Sequence, residues 1–356
     1  MIKKSNPTML DVARLAAVSV ATVSAVINGS AVVSPQRAQR VRDAAEALDY
    51  HADQVARSLK TGRSNVVGVV IPDVTNPFYP EVISGAEEVA SRAGYSLILC
   101  NANEDPAQER RLLNTLFSHR VDGVLISCSD SSTAYDSLVR RRFPIVFFDR
   151  IPQGFQGVGI STDNAAGGYQ ATHHLISLGH SRIAIAAGRL HLSTHANRLE
   201  GFRLAMQEAA LPIRGEYCRV GGLTIESGFE AGLELLRLPE PPTAVFCTNN
   251  KMLLGFLRAT SELGVPFPAR ISIAGFDDYA WTEHFHPSLT TVAQPTRAIG
   301  RRAMELLLVR IQAVREGRTV TDNQTIVLPP ELRIRDSTGA PSAAPIEILL
   351  NVSKSA

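Results

Sequence analysis

From Val66 onward the chain alternates two patterns many times over. A short unbroken apolar run, such as VVGVVIP at 66–72, is followed by a longer stretch with apolar residues at helical spacing. Unbroken runs of this length predict strands buried on both faces, which belong to parallel sheets. They fall at 66–72, 95–101, 122–127, 144–149, 157–161, 182–187, 216–220, 243–247 and 271–275. Helices are predicted between most of them, at 79–93, 106–119, 133–142, 163–179, 197–210, 226–238 and 249–263. Such alternation folds into open parallel sheets flanked by helices. The strands are too many for one comfortable sheet, which predicts two lobes. A late strand at 289–293, a long helix at 295–315 and strands near 324–327 and 331–335 would knit the lobes together. The tail from Ser337, rich in Ser, Pro and Ala, is expected to be disordered.

In open α/β sheets, ligands bind beyond the carboxyl ends of the strands. Asn76, Phe78 and Tyr79 follow the first strand, and Asp149 and Arg150 the fourth. Thr194 and Arg198 come after 182–187, Asn249 and Asn250 after 243–247, Asp277 and Asp278 after 271–275, and Gln294 after 289–293. A capping or surface role is the ordinary explanation for any one of them. Together, aromatics with carboxylate, guanidinium and amide groups suit a polyhydroxylated small molecule.

The first fifty residues follow a different pattern. TMLDVARLAAVSVATVSAVING (8–29) reads as two short helices around a tight turn. Thr8 and Asp11 have capping-box spacing, and Leu10, Val12, Ala13 and Ala16 lie on one helical face. Ala17-Val18 makes the corner, Ser19 caps a second helix from Val20 to Ile27, and Asn28-Gly29 stops it. This is a helix-turn-helix unit, whose second helix enters a DNA major groove. Thr22, Ser24 and Asn28 lie away from Val23 and Ile27, where a hidden hairpin would want apolar groups. Ser34-Pro35 starts a third helix, running to about Leu48. YHADQVARSLK (50–60) has length for two helical turns, too few to be stable alone. Leu59, apolar and next to the polar linker TGRSN, suits a minor-groove wedge.

The charge distribution agrees. The chain is 356 residues long with a net charge of +2. Residues 1–64 hold nine Lys and Arg against five Asp and Glu, hence +4, leaving −2 for the remainder. A basic head on a near-neutral body predicts a polyanion partner for the head alone. At 45% hydrophobic and 20% charged, the composition is that of a soluble globular protein. The four cysteines (100, 128, 218, 247) form no CxxC pair and read as reduced thiols. The N-terminus lacks the apolar core of a secretory signal and no stretch has the length of a membrane span, so a cytoplasmic location is expected. No GxGxxG, Walker loop, GxSxG elbow or HExxH occurs. No catalytic residue, metal site or cofactor is assigned, and the chain is not read as an enzyme.

VSVATVSAVING, ARSLKTGRS, GVVIPDVTNPFYPEVISGAEEVA, RVDGVLI, STHANRLEGF, AVFCTNN, ISIAGFDD and LTTVAQP occur in this order. The set resembles the lactose/galactose repressor family of bacterial transcription regulators, over roughly residues 8–336. The resemblance implies a helix-turn-helix head, a hinge helix, and a two-lobed body like the periplasmic sugar-binding proteins. It implies phosphate- and base-facing roles for Thr8, Ser19, Thr22, Ser24, Asn28 and Ser34, and base reading by Val20, Ala21 and Ala25. It implies a wedge role for Leu59 and a hinge contact for Lys60. In the body it implies effector contacts for Asn76, Phe78, Tyr79, Asp163, Thr194, Arg198, Asn249, Asp277 and Gln294, with Trp281 as a stacking surface or a helix-packing residue. Many relatives carry a polar or basic side chain where Ala25 stands, a hinge beginning Pro-Asn where His51-Ala52 stands, and an aspartate where Asn250 stands.

The implied division is a head at 1–50, a hinge and linker at 51–65, and a body at 66–336. Within the body, lobe 1 comprises about 66–162 and 295–325, and lobe 2 about 163–290 and 326–336. The implied function is that of a repressor whose affinity for double-stranded operator DNA is set by a small-molecule effector, a sugar-like compound or alternatively a nucleobase. It would act as a homodimer without a membrane partner. Two other readings are a solute-binding protein for transport and an α/β enzyme acting on a sugar or nucleoside.

Overall fold

Thr8 opens the first helix of the computed structural model, which describes residues 7–28, 32–50, 63–130, 135, 143–155, 157–318 and 325–342. The chain divides into two compact units, 1–64 and 65–356. In the first, α1 spans Met9–Leu15, α2 Val20–Asn28 and α3 Pro35–Ala47. Thr8 Oγ1 accepts from the Asp11 amide at 3.4 Å, and Asp11 accepts from the Thr8 amide at 2.9 Å. The chain bends by 105° between α1 and α2. Ala17 makes that corner in the left-handed region, at φ 49°. Ser19 Oγ then accepts from the Thr22 amide at 3.1 Å, capping α2. Val12, Ala13, Ala16, Val23, Val41 and Ala44 form the small core. Leu10 is not part of it, being 47% exposed. Ser34 stands at the α3 N-cap before Pro35, but its side chain makes no cap bond.

In the second unit the described strands assemble into two six-stranded sheets. The first contains β1 (Val66–Ile71), β2 (Ser96–Asn101), β3 (Gly123–Ile126), β4 (Ile145–Phe148), β5 (Gly159–Thr162) and β11 (Thr325–Leu328). Its order is β11-β5-β4-β3-β1-β2, parallel throughout. The second contains β6 (Ile183–Ala187), β7 (Cys218–Val220), β8 (Ala244–Cys247), β9 (Ser272–Phe276), β10 (Thr290–Ala293) and β12 (Glu331–Arg333). Its order is β12-β10-β9-β8-β6-β7, with only β12 antiparallel. Flanking helices are α4 (Phe78–Arg92), α5 (Pro106–Ser118), α6 (Asn164–Ser177), α7 (Ser193–Glu208), α8 (Ile225–Leu236), α9 (Asn250–Glu262), α10 (Ala280–His284) and α11 (Thr296–Arg315). Nearly every strand in the interior of a sheet is buried along its length, the reason the sequence shows unbroken apolar runs.

Helices pack in pairs, and glycines set the distance. A Cβ on Gly201 of α7 would lie 2.0 Å from the Ala165 carbonyl oxygen of α6, and one on Gly168 of α6 would lie 2.2 Å from that of Arg198. Gly85 and Gly300 repeat this reciprocal contact between α4 and α11. Only a residue without a side chain lets the backbones approach so closely.

Two expectations are corrected and two fall outside the described residues. The boundary between lobes expected at 325/326 lies further on. Thr325–Leu328 pairs in parallel with Gly159–Thr162, so all of β11 belongs to the first sheet and the chain crosses between Leu328 and Glu331. The tail is not disordered from Ser337. Ser337 is fully buried, donates to the Ile273 carbonyl at 2.6 Å and accepts from the Thr290 amide at 2.8 Å. Thr338 and Gly339 continue the docking on His174, His180 and Ser272. Composition suggested a solvated tail, but backbone groups left open by β9 and β10 bind it. The helix expected at 133–142, Tyr135 apart, and residues 51–62 of the hinge and linker expected at 51–65 lie outside the described residues, as does 343–356. Among the described residues no single helix is long and apolar enough to cross a membrane.

Candidate functional site

Because the strands of each sheet run in parallel, their carboxyl ends collect on one side, and a cleft of about 450 Å³ opens there. Its lining follows strand ends almost without exception. Asp73, Asn76, Phe78 and Tyr79 come after β1, Glu104 after β2, and Asp149 and Arg150 after β4. From the second sheet come Thr194, His195 and Arg198 after β6, Leu223 after β7, Asn249, Asn250 and Lys251 after β8, and Asp277 after β9. Gln294 follows β10.

Arg198 is the centre of the second-sheet wall. It projects from α7, with Nε donating to Asn164 Oδ1 at 2.7 Å and Nη1 donating to the Thr248 carbonyl at 2.6 Å. Its guanidinium lies 3.6 Å above the Phe276 ring. Burial lowers its pKa, against the pull of Asp277 and Asp149. His195, one turn earlier, is held well below the usual imidazole range by burial and by Arg198, so it stays neutral.

Two carboxylates face this wall. Asp149 accepts from the Tyr79 hydroxyl at 3.1 Å, and Asp277 accepts from Gln294 Nε2 at 2.6 Å. Both residues sit in the left-handed region, at φ 59° and 77°. Burial pushes both carboxyls above the usual carboxylate range, more strongly than Arg150 and Arg198 pull them down. Asn249 caps α9 by accepting from the Met252 amide at 2.9 Å, while its own buried Nδ2 has no partner among the described residues. A buried amide without an acceptor, on a cleft wall, is a group that a ligand oxygen satisfies.

The two walls touch. Lys251 Nζ donates to Asp73 Oδ2 at 2.5 Å. Asn76 Oδ1 accepts from Tyr279 at 3.3 Å and from Asn250 at 3.3 Å. Thr162 donates to Gln294 Oε1 at 2.6 Å where the chain crosses between sheets.

Of the expected effector residues, the structure brings together Asn76, Phe78, Tyr79, Thr194, Arg198, Asn249, Asp277 and Gln294. Two are corrected. Asp163 does not line the cleft. It caps α6, accepting from the Ala166 amide at 2.9 Å. Trp281 does not line it either, but packs against the second lobe's core and stacks on Tyr279 with ring centroids 6.2 Å apart. Asp73, Glu104, His195, Leu223 and Lys251 were not singled out from the sequence. The strand-end rule reaches Asp73, Glu104, Leu223 and Lys251, whereas no pattern marks His195 beyond its place beside Thr194.

In the head, Thr8, Ser19, Val20, Ala21 and Ser34 are exposed, and Thr22, Ser24 and Ala25 partly so. Val20 and Ala21 open α2, and no acidic residue stands in its first turn, which leaves the positive end of the helix free for phosphate. Asn28 is the last residue of α2, while Leu59 and Lys60 lie outside the described residues.

Comparison with known proteins brings the two units together. Residues 8–53 match the lacI family of bacterial regulatory proteins, and residues 172–338 match the periplasmic binding protein-like domain. The chain is 37% identical to the HTH-type transcriptional repressor PurR of Photobacterium profundum over 332 residues, 93% of this chain and 98% of that protein. The lac repressor dimer bound to operator and the anti-inducer ONPF superposes with a TM-score of 0.81 at 26% identity, over 94% of this chain and all of the other. A regulator from Enterococcus faecium with bound ribose gives 0.68 at 30% identity, over 78% of this chain and 99% of that one. The relatives are repressors and not enzymes, and the match runs through head and body alike. The chain therefore belongs to the lacI family, and it is a DNA-binding transcriptional regulator of the repressor type with an effector-binding body.

Proposed function

We propose that this regulator binds a near-palindromic operator as a homodimer and that a sugar-like effector in the cleft sets its grip. The effector half is carried by one observation, the lining of the cleft: fourteen of its sixteen residues present a polar group, leaving only Phe78 and Leu223. Such a wall suits a ligand with hydroxyls on every side. A nucleobase wants broad apolar faces to stack on, and the lining offers only Phe78, Tyr79 and Leu223 for them. The ribose-bound relative supports the same reading.

The DNA half assigns base reading to Val20, Ala21 and Ala25, and phosphate or base contacts to Thr8, Ser19, Thr22, Ser24, Asn28 and Ser34. Leu59 is the minor-groove wedge and Lys60 its neighbour. With only apolar groups at the reading positions, contacts such as a thymine methyl and the shape of the duplex carry much of the specificity. Two heads on a two-fold dimer match two half-sites. The dimeric lac repressor supports this assembly. The head at 1–50, hinge at 51–65 and two-lobed body act in sequence, in the cytoplasm where operator and metabolite meet. The effector works only through different affinities for the two lobe arrangements.

Gel-shift titration of the full chain on DNA upstream of its own coding region, with and without a set of sugars, tests both halves. The expected result is a retarded band that weakens with salt and responds to one sugar. No band at any salt overturns the DNA assignment. A band indifferent to every sugar, but moved by a nucleobase, overturns the effector assignment.

A further inference from the structure

We infer that the cleft takes an uncharged polyhydroxy compound and rejects its phosphorylated and acidic derivatives. This rests on the effector reading above and narrows it. The argument is one of charge placement. Four carboxylates line the cleft (Asp73, Glu104, Asp149 and Asp277) against three cations (Arg150, Arg198 and Lys251). Two of the cations are already engaged. Arg150 forks onto Glu104, at 2.7 Å from Nη1 and 3.0 Å from Nη2. Lys251 meets Asp73 at 2.5 Å.

The placement of both pairs is deliberate in physical terms. Lys251 lies in the first turn of α9, where the positive end of a helix disfavours a cation, so Asp73 across the cleft is what holds it there. Glu104 sits on left-handed backbone, φ 57°, directly after Asn103 at φ 54°. That turn brings its carboxyl back onto Arg150. An anionic ligand that turns to Arg150 or Lys251 has to displace the half-buried Glu104 or Asp73 and leave that carboxylate without its partner. The third cation, Arg198, is already under the pull of Asp277 and Asp149.

The groups that remain repel an anion as well. Among the described residues Asp149 and Asp277 have no cation within ion-pair distance, and each accepts only from neutral donors, Asp149 from Tyr79 and Ser127, Asp277 from Gln294 and the Asn250 amide. Buried carboxylates with free acceptor positions favour ligand hydroxyls, which donate. Arg198, stacked on Phe276 with Nε and Nη1 engaged, keeps Nη2 to donate to a ring or hydroxyl oxygen.

The test is calorimetric titration of the full-length chain with neutral pentoses, hexoses and disaccharides, beside ribose 5-phosphate, glucose 6-phosphate, glucuronate, hypoxanthine and adenosine. A neutral sugar should bind, with its charged counterpart about tenfold or more weaker. Glu104→Gln, which releases Arg150, should narrow that gap about tenfold in favour of the anion. Asp73→Asn, which releases Lys251, should move it the same way and serves if the first variant folds poorly. A charged derivative that binds as tightly as its neutral parent overturns this inference and leaves the sugar reading standing. A gap that neither variant changes overturns the role given to the two pairs. Binding of a nucleobase alone, or silence from the whole set, overturns the sugar reading and this inference with it.

Discussion

Arg198 and Phe276 are stacked, the guanidinium carbon 3.6 Å from the ring centroid, although they come from different elements, α7 and the end of β9. The contact fixes the plane of the guanidinium, and Asn164 and the Thr248 carbonyl fix its rotation. Arg198→Lys keeps a charge but loses the planar fork and the stack. Effector affinity should fall about tenfold or more while the fold survives. Arg198→Ala should also destabilise the body by about 1–3 kcal/mol, since the buried Asn164 oxygen and Thr248 carbonyl lose their donor. Titration of the effector and urea unfolding separate the two effects.

Ser337 ties the amino ends of β9 and β10 together with one hydroxyl that both donates and accepts. Ser337→Ala leaves the Thr290 amide and one lone pair of the Ile273 carbonyl unsatisfied in a fully buried place. A loss of about 1–3 kcal/mol is expected. Thermal unfolding reads it, and an unchanged melting temperature contradicts the docked tail.

Gly201 to Ala tests the helix-pair contact. In an open helix the change gains about 1 kcal/mol. Here the new methyl meets the Ala165 carbonyl oxygen at 2.0 Å, and overpacking of this kind costs about 1–3 kcal/mol or more. The net effect should be a lower melting temperature, with α6 and α7 forced apart.

Asp278 carries the pH dependence. Burial pushes its carboxyl up, but hydrogen bonds from Arg335, Thr291 and Thr282 outweigh it and hold the pKa at about 2 against a usual 3.8. Arg335 Nη1 lies 2.6 Å from Oδ1 and Arg333 Nη1 2.6 Å from Oδ2. A lowered folded pKa means stability present above the unfolded value and lost as pH falls through the folded one. Asp278→Asn should therefore be less stable than the parent at pH 6, with the difference shrinking between about pH 4 and pH 2. Urea unfolding of both proteins across that range measures it. The clamp ties β12, the last crossover, to the turn that carries Asp277.

Ser19→Ala removes the α2 cap, a loss of about 1 kcal/mol. The phosphate contact proposed for the same hydroxyl predicts that affinity falls on specific and non-specific DNA alike. Salt-dependent gel shifts compare the two duplexes, and a loss confined to one sequence would give Ser19 a base-reading role instead.

The sequence by itself determined the elements. A buried parallel strand must be apolar along its whole length, so the interior strands were visible as runs; β2 and β7 read the same way although they are sheet edges, half-buried or exposed along their length. Helix caps such as Thr8 and Ser19 announced the starts of α1 and α2. It also placed most of the cleft, because the carboxyl ends of parallel strands converge whatever the details. What the tertiary structure alone decided were relationships between residues far apart in the chain. Pairing of β11 with β5, and not with the second sheet, depends on which edge was open. Ser337 is ordered because β9 and β10 leave groups that need it, a fact no local composition records. Asp163 and Thr194 look equally suitable for a ligand as letters, yet one turns to its own helix and the other to the cleft. Glu104 and Lys251 read as surface charges until folding sets Arg150 and Asp73 against them. Local pattern reports what a segment gains by burial, whereas the partner of a buried charge is chosen only when distant strands come together.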